Sequence, residues 1–107
     1  MEQELYQEAL QITDSAIQAV KPDAAVKRAL SEMPHSGRIF LVAAGKAAWQ
    51  MADAAVKTLG QMEDGVVVTK YGHVKAEIPG VRCYEAGHPV PDANSFAATE
   101  KALELVH

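Results

Sequence analysis

The chain reads IFLVAAGKAA over residues 39–48, an apolar run that ends at Gly45 and is followed at once by Lys46. Such a run predicts a buried strand, a tight turn and the start of a helix, with a cation at the turn. In open α/β sheets, ligands bind just outside the carboxyl ends of the strands. The unpaired amides of a helix's first turn favour anions there. The stretch therefore indicates a strand–turn–helix unit with a site for a phosphate or a carboxylate.

The rest of the chain predicts helices and strands in alternation. In chain order, the apolar spacing predicts helices over residues 5–20 and 22–33, a strand over 38–44, a helix over 48–59, strands over 65–69 and 81–85, and a last helix from about residue 92. This order is typical of an α/β fold, and we expect a Rossmann-like three-layer domain with a mostly parallel sheet. About ten residues separate the second and third strands, which is short for a helical crossover. The third strand is therefore either reached by an extended excursion or antiparallel.

Burial is expected to be greatest in two strands, because Ile39–Ala44 and Val66–Thr69 are unbroken apolar runs. We predict that they are adjacent parallel strands, covered on both faces.

The 107 residues are enough for one domain. A three-stranded parallel sheet would keep exposed edges, which tend to pair with other chains. We therefore expect an incomplete domain, with an apolar edge where a missing carboxyl-terminal domain docks or a homodimer forms.

The composition narrows the functional classes. The net charge of −4 argues against broad nucleic-acid binding, which depends on clusters of lysine and arginine. No apolar run reaches membrane-spanning length and no charged-then-apolar leader opens the chain, so we expect a cytoplasmic protein without a membrane partner. The sequence contains no paired-histidine motif or cysteine cluster, and we assign no metal-binding residue.

The candidate site residues follow the predicted strand ends, which share one edge if the sheet is parallel. They are Gly45, Lys46, Lys70, His73, His88 and Asp92. Positive charge at one edge of an acidic chain suits a small anionic substrate. Each residue also has a purely structural interpretation. Gly45 could only close a turn, Lys46 could be solvated, either histidine could brace a loop, and Asp92 could cap the last helix. Trp49 is interpreted as a packing residue.

Two common phosphate-binding motifs are absent at the first strand end. A P-loop needs a glycine five residues before Gly45 and a hydroxyl after Lys46, but Phe40 and Ala47 occupy those places. A dinucleotide fingerprint needs a second glycine where Ala47 stands. A nicotinamide cofactor therefore has no support in the sequence.

Three segments resemble the glycerate 2-kinase family, whose carboxyl-terminal domain is often called MOFRL and some of whose members carry the older label hydroxypyruvate reductase. The segments are AGKAA at residues 44–48, GVVVTKYGH at 65–73 and EAGHPVPD at 85–92. The last is the most specific of the three. The likeness covers essentially the whole chain, and the family's members are much longer. The resemblance therefore implies an amino-terminal fragment of the first domain.

The resemblance implies that the complete enzyme phosphorylates D-glycerate to 2-phosphoglycerate, with ATP and Mg²⁺. Lys46 matches the family's active-site lysine. By its chemistry it would hold either the glycerate carboxylate or the transferring phosphoryl group. The alternative is an inactive fragment that only binds an anion or docks a partner. A hydroxypyruvate reductase is less well supported, because the dinucleotide fingerprint is missing.

Overall fold

The computed structural model describes all 107 residues, which form four helices and three strands. In chain order these are α1 (Glu2–Val20), α2 (Pro22–Glu32), β1 (Phe40–Ala44), α3 (Ala48–Leu59), β2 (Asp64–Lys70), β3 (Arg82–Ala86) and α4 (Ala93–Val106). The predicted order of helices and strands is confirmed. Pro22 stands in the first turn of α2, and Gly60 ends α3 with a φ of 85°.

The three strands form one parallel sheet in the order β1-β2-β3. Val42 pairs with Val66 across β1 and β2, and Thr69 pairs with Glu85 across β2 and β3. The open question about the third strand is thus answered, because β3 is parallel to β2. Residues 71–81 make this connection without a helix. They run as an extended excursion, pinned by an isolated bridge between Ile78 and Val81.

The core lies between α3 and one face of the sheet. Its buried centre consists of Ala48, Ala52, Val67 and Ile78. The alanines let the helix approach the strands closely, so a chain with few aromatic residues can still exclude water there. On the opposite face, α4 contacts β2 and β3. The central strand β2 is therefore covered on both sides, and Val66 and Val67 have no exposed surface, as predicted.

The prediction that β1 is covered on both faces is wrong. Leu41 and Ala43 are half-buried against α3, but Phe40 and Val42 on the other face are each 47% exposed. The reason is position: β1 is an edge strand, and α4 lies over the other two strands. The apolar sequence of β1 therefore does not mean that both of its faces are buried in this chain.

Helix α1 projects from the rest of the molecule. It buries none of its residues and contacts α2. The radius of gyration is 17.2 Å, whereas a compact chain of this size has about 13 Å. Several large apolar side chains of α1, including Leu5, Ile12 and Val20, are more than half exposed. No helix of the structure is both long enough and apolar enough to cross a membrane.

Candidate active site

The carboxyl ends of all three strands lie at one edge of the sheet, because the strands are parallel. Strand β1 leads there into Gly45, whose φ of 127° favours glycine. The Gly45 amide donates to the carbonyl of Val68 at 3.0 Å, and the Gly45 carbonyl accepts from the amide of Ala48 at 3.2 Å. This turn joins the sheet to α3 and places Lys46 just before the helix.

Lys46 and His73 are brought together through the Lys46 backbone. The Lys46 carbonyl accepts a hydrogen bond from the Thr69 hydroxyl at 3.3 Å, and the His73 Nδ1 lies 3.3 Å from the same oxygen. A carbonyl can only accept, so this contact is a hydrogen bond when Nδ1 carries the proton. In the neutral ring, Nε2 is then the free acceptor. The ends of β1 and β2 thus meet in one cluster, which consists of Lys46, Thr69 and His73.

A cavity of about 310 Å³ lies beside this cluster. It is lined by Lys46, Ala47, Trp49, Gln50, His73 and Lys75. Two lysines and a histidine face it, and no acidic residue lines it. The four salt bridges of the structure involve neither Lys46 nor Lys75. The cavity is therefore cationic, and its charge suits an anionic ligand. Sequence reasoning missed Lys75, although it lies only two residues beyond His73 in the same connection.

Trp49 fixes the connection that carries His73 and Lys75. Its indole Nε1 donates to the carbonyl of Ala76 at 3.0 Å, and its ring packs against the core beneath α3. The packing interpretation of Trp49 agrees with this contact. The indole also lines the cavity, so the same side chain forms part of its wall.

Glu85 holds the same connection from the other side. Its Oε2 accepts from the amide of Gly72 at 3.0 Å and from the amide of Val74 at 3.1 Å. Between them, the His73 amide donates to the carbonyl of Lys70 at 3.0 Å. Three successive backbone amides are thus satisfied, which fixes the path of the chain at His73.

Asp92 caps α4. Its Oδ1 accepts from the amide of Ser95 at 3.1 Å, while the Ser95 hydroxyl accepts from the Asp92 amide, which completes a capping box. Its Oδ2 accepts from the Tyr71 hydroxyl at 2.6 Å, and the side-chain Nδ2 of Asn94 donates to that hydroxyl. The Tyr71 hydroxyl, followed by the backbone amide of Gly87, lowers the pKa of Asp92 to about 2. Asp92 is therefore ionised at neutral pH, and both of its oxygens are engaged.

Lys70 and His88 lie at the same edge but do not line the cavity. Lys70 is the last residue of β2, and neighbouring strand residues point to opposite faces. Its side chain therefore faces away from that of Thr69, which contacts the Lys46 carbonyl. His88 is exposed, two residues beyond the end of β3. Gly87, which lies between the end of β3 and His88, has no room for a side chain, since an added Cβ would lie 2.5 Å from the Val90 carbonyl oxygen.

The model of one protein family, described as "Domain of unknown function (DUF4147)", matches residues 8–107. The chain belongs to this family. Among its relatives, the D-glycerate 2-kinase of Thermotoga maritima is 52% identical over 99 residues. The glycerate 2-kinase of Pyrococcus horikoshii is 36% identical over 109 residues. A relative from Agrobacterium vitis, 40% identical over 98 residues, carries a hydroxypyruvate reductase name.

The fold has a counterpart of known structure in the same family. The crystal structure of the Thermotoga maritima glycerate kinase superimposes with a TM-score of 0.89 at 50% identity, and covers 97% of this chain. The expected α/β fold and the resemblance to glycerate 2-kinases are thus confirmed. The match spans 92% of this chain but only 24% of either kinase relative. The chain therefore corresponds to about a quarter of the length of those enzymes.

Proposed function

We propose that this chain forms one wall of the active site of an ATP-dependent D-glycerate 2-kinase. The observation that carries the proposal is the cationic cavity beside Lys46, at the ligand-binding edge of a parallel sheet. In the reaction, the 2-hydroxyl oxygen of D-glycerate bonds to the γ-phosphorus of ATP and the bond from that phosphorus to the bridging oxygen breaks. The products are 2-phosphoglycerate, ADP and the proton of the hydroxyl.

Positioning and charge stabilisation account for most catalysis of phosphoryl transfer. Lys46 would supply a positive charge to the glycerate carboxylate or to the transferring phosphoryl group. Gly45 would let the ligand approach the backbone, and His73 would contact it from the cavity wall. Lys70 and His88 would add positive or polar groups at the edge. Asp92 would act by holding Tyr71 and the amino terminus of α4 in place.

The residues of this chain do not fit a resident metal ion. No group of three or more His, Cys, Asp or Glu side chains is placed to hold one. Asp92, the one carboxylate of the candidate set, is already bonded through both oxygens. Mg²⁺ would therefore arrive with the ATP phosphates.

The reductase name of some relatives has less support. A nicotinamide cofactor would need the glycine that Ala47 replaces, and Ala47 lines the cavity next to Lys46. The cavity instead offers cations at the edge, which suit phosphates. A cytoplasmic location, expected from the sequence, is consistent with ATP as the substrate.

A direct assay tests the proposed function. We expect a complete protein that carries this chain to convert D-glycerate and ATP to 2-phosphoglycerate and ADP, and the 107-residue chain alone to have no such activity. The products are followed by ³¹P NMR, with hydroxypyruvate and NADPH as the control substrates. Reduction of hydroxypyruvate without phosphorylation of glycerate would reject the kinase in favour of the reductase.

A docking function is the second candidate, and the exposed apolar surface favours it. Phe40 and Val42 of β1 lie uncovered, and α1 exposes Leu5, Ile12 and Val20. Apolar surface of this kind marks an interface or an aggregation hazard. We expect the isolated chain to dimerise or aggregate rather than remain monomeric, as measured by light scattering across a concentration series. A clean monomer at high concentration would contradict this expectation.

A further inference from the structure

We propose that Glu85 is a positioning residue for the candidate active site. It holds the turn after β2 so that His73 contacts the Lys46 carbonyl and presents Nε2 as its free acceptor. The functional meaning of this role rests on the proposed kinase site, but the positioning itself can be tested without it. Glu85 does not line the cavity, so it would act through His73 rather than on a ligand.

The contacts of Glu85 converge on the backbone on both sides of His73. One carboxylate oxygen accepts from Gly72 and from Val74, at 3.0 and 3.1 Å. Hydrogen bonds from backbone amides to an ionised carboxylate are stronger than those to a neutral acceptor. Gly72 has a φ of 81°, so the chain turns sharply there. The backbone amides of Gly72 and Val74 therefore have no partner in a neighbouring strand. Glu85 supplies the acceptor that such a turn lacks.

The sheet places Glu85 beside a second residue that supports the contact between His73 and Lys46. Glu85 lies in β3 and pairs with Thr69 of β2. Thr69 is 3% exposed, and its hydroxyl donates to the Lys46 carbonyl. Glu85 and Thr69 therefore support the contact between His73 and Lys46 from paired positions. One fixes the turn that carries His73, and the other fixes the carbonyl that His73 contacts.

The contact with the Lys46 carbonyl favours the His73 tautomer that carries its proton on Nδ1. Bonding of Nδ1–H to the carbonyl leaves Nε2 unprotonated in the neutral ring. If the turn moves, this constraint is lost and the ring can adopt either tautomer. The tautomer of His73 therefore reports whether Glu85 positions the ring. If Glu85 only stabilised the fold, its removal would leave the tautomer unchanged.

The test uses this chain and long-range ¹H–¹⁵N spectra of its four histidines, at a pH where the rings are neutral and at a protein concentration low enough to prevent association. A His73→Gln variant assigns the His73 signals, and exposed His107 serves as the internal reference. We expect the Nδ1–H form of His73 to dominate in the wild type. Glu85→Gln should retain it, because the amide oxygen can still accept both bonds. Glu85→Ala should lose the preference, so that His73 resembles His107.

Glu77→Ala is the matched control. Glu77 is an exposed acid in the same connection and makes no hydrogen bond or salt bridge through its side chain, so its removal should leave the His73 tautomer unchanged. A Glu85→Ala variant that keeps the wild-type tautomer would overturn the proposal. If that variant fails to fold, amide hydrogen exchange in the wild type decides. Gly72 and Val74 should then exchange more slowly than Lys75, and equal rates would count against Glu85.

Adding ATP separates this proposal from the proposed function. Backbone shifts at Lys46 and Lys75 should respond to ATP in the wild type and in Glu85→Gln, and respond less in Glu85→Ala. A wild type that shows no response removes support for the nucleotide site, while the tautomer comparison still decides the role of Glu85.

Discussion

Replacing Lys46 with alanine in the complete form of the proposed kinase is expected to lower kcat by about 10²–10³-fold, by analogy with the loss of one donor that stabilises a transition state. The Lys46 side chain stands at the cavity and takes part in none of the four salt bridges, so its charge is available to a ligand. The fold should persist, because exposed substitutions typically shift the free energy of unfolding by less than about 0.5 kcal/mol. Steady-state kinetics and thermal unfolding measure the two effects separately.

Two further variants make the Lys46 experiment specific. Lys57→Ala removes an exposed lysine from α3 that is bonded to Asp53 at 2.8 Å, away from the cavity, and turnover should stay near normal. Lys46→Arg keeps the charge but replaces a compact ammonium with a planar fork, so it should not fully restore activity. Near-normal turnover of Lys46→Ala would remove this residue from the mechanism.

Much of the fold could be predicted because its signals are local. The run at residues 39–44, the glycine at position 45 and the helical spacing after it indicate a strand, a turn and a helix without any tertiary contact. The burial of β1 could not be read in the same way. An apolar strand looks the same in sequence whether one or both faces are covered, and only the position of α4 over β2 and β3 leaves Phe40 and Val42 in solvent.

The candidate site was predictable only in outline. A parallel sheet places the residues after its strands at one edge, which is how Lys46 and His73 could be paired in advance. The contributions of Lys75 and Glu85 depend on the path of residues 71–81, which no periodic pattern describes. That path is set by tertiary contacts, including the Trp49 bond to the Ala76 carbonyl and the two amide bonds to Glu85.

Ile78→Ala is expected to lower the free energy of unfolding of this chain by about 2–5 kcal/mol, the usual range for truncating a buried aliphatic side chain. Ile78 is 3% exposed and packs in the same cluster as Ala48, Ala52 and Val67. Only 12 of the 107 residues are buried, so few other contacts can compensate. Single domains are commonly stable by about 5–15 kcal/mol, so this loss would be a large fraction of the total free energy of unfolding. Urea unfolding followed by circular dichroism measures the change.

Ile12→Ala provides the matched control, since it deletes the same atoms from a side chain that is 70% exposed on α1. Its effect should stay within about 0.5 kcal/mol at protein concentrations low enough to prevent association. Ile78→Val, which removes a single methylene, should lower the free energy of unfolding by an intermediate amount, about 0.5–1.5 kcal/mol, and it replaces the alanine variant in the test if that variant does not fold.

Ile78 anchors the connection that carries His73 and Lys75, so loosening it should also release the His73 contact with Lys46. An Ile78→Ala variant as stable as Ile12→Ala would mean that the excursion from β2 to β3 is not part of the core, and the cavity wall built on it would lose its support.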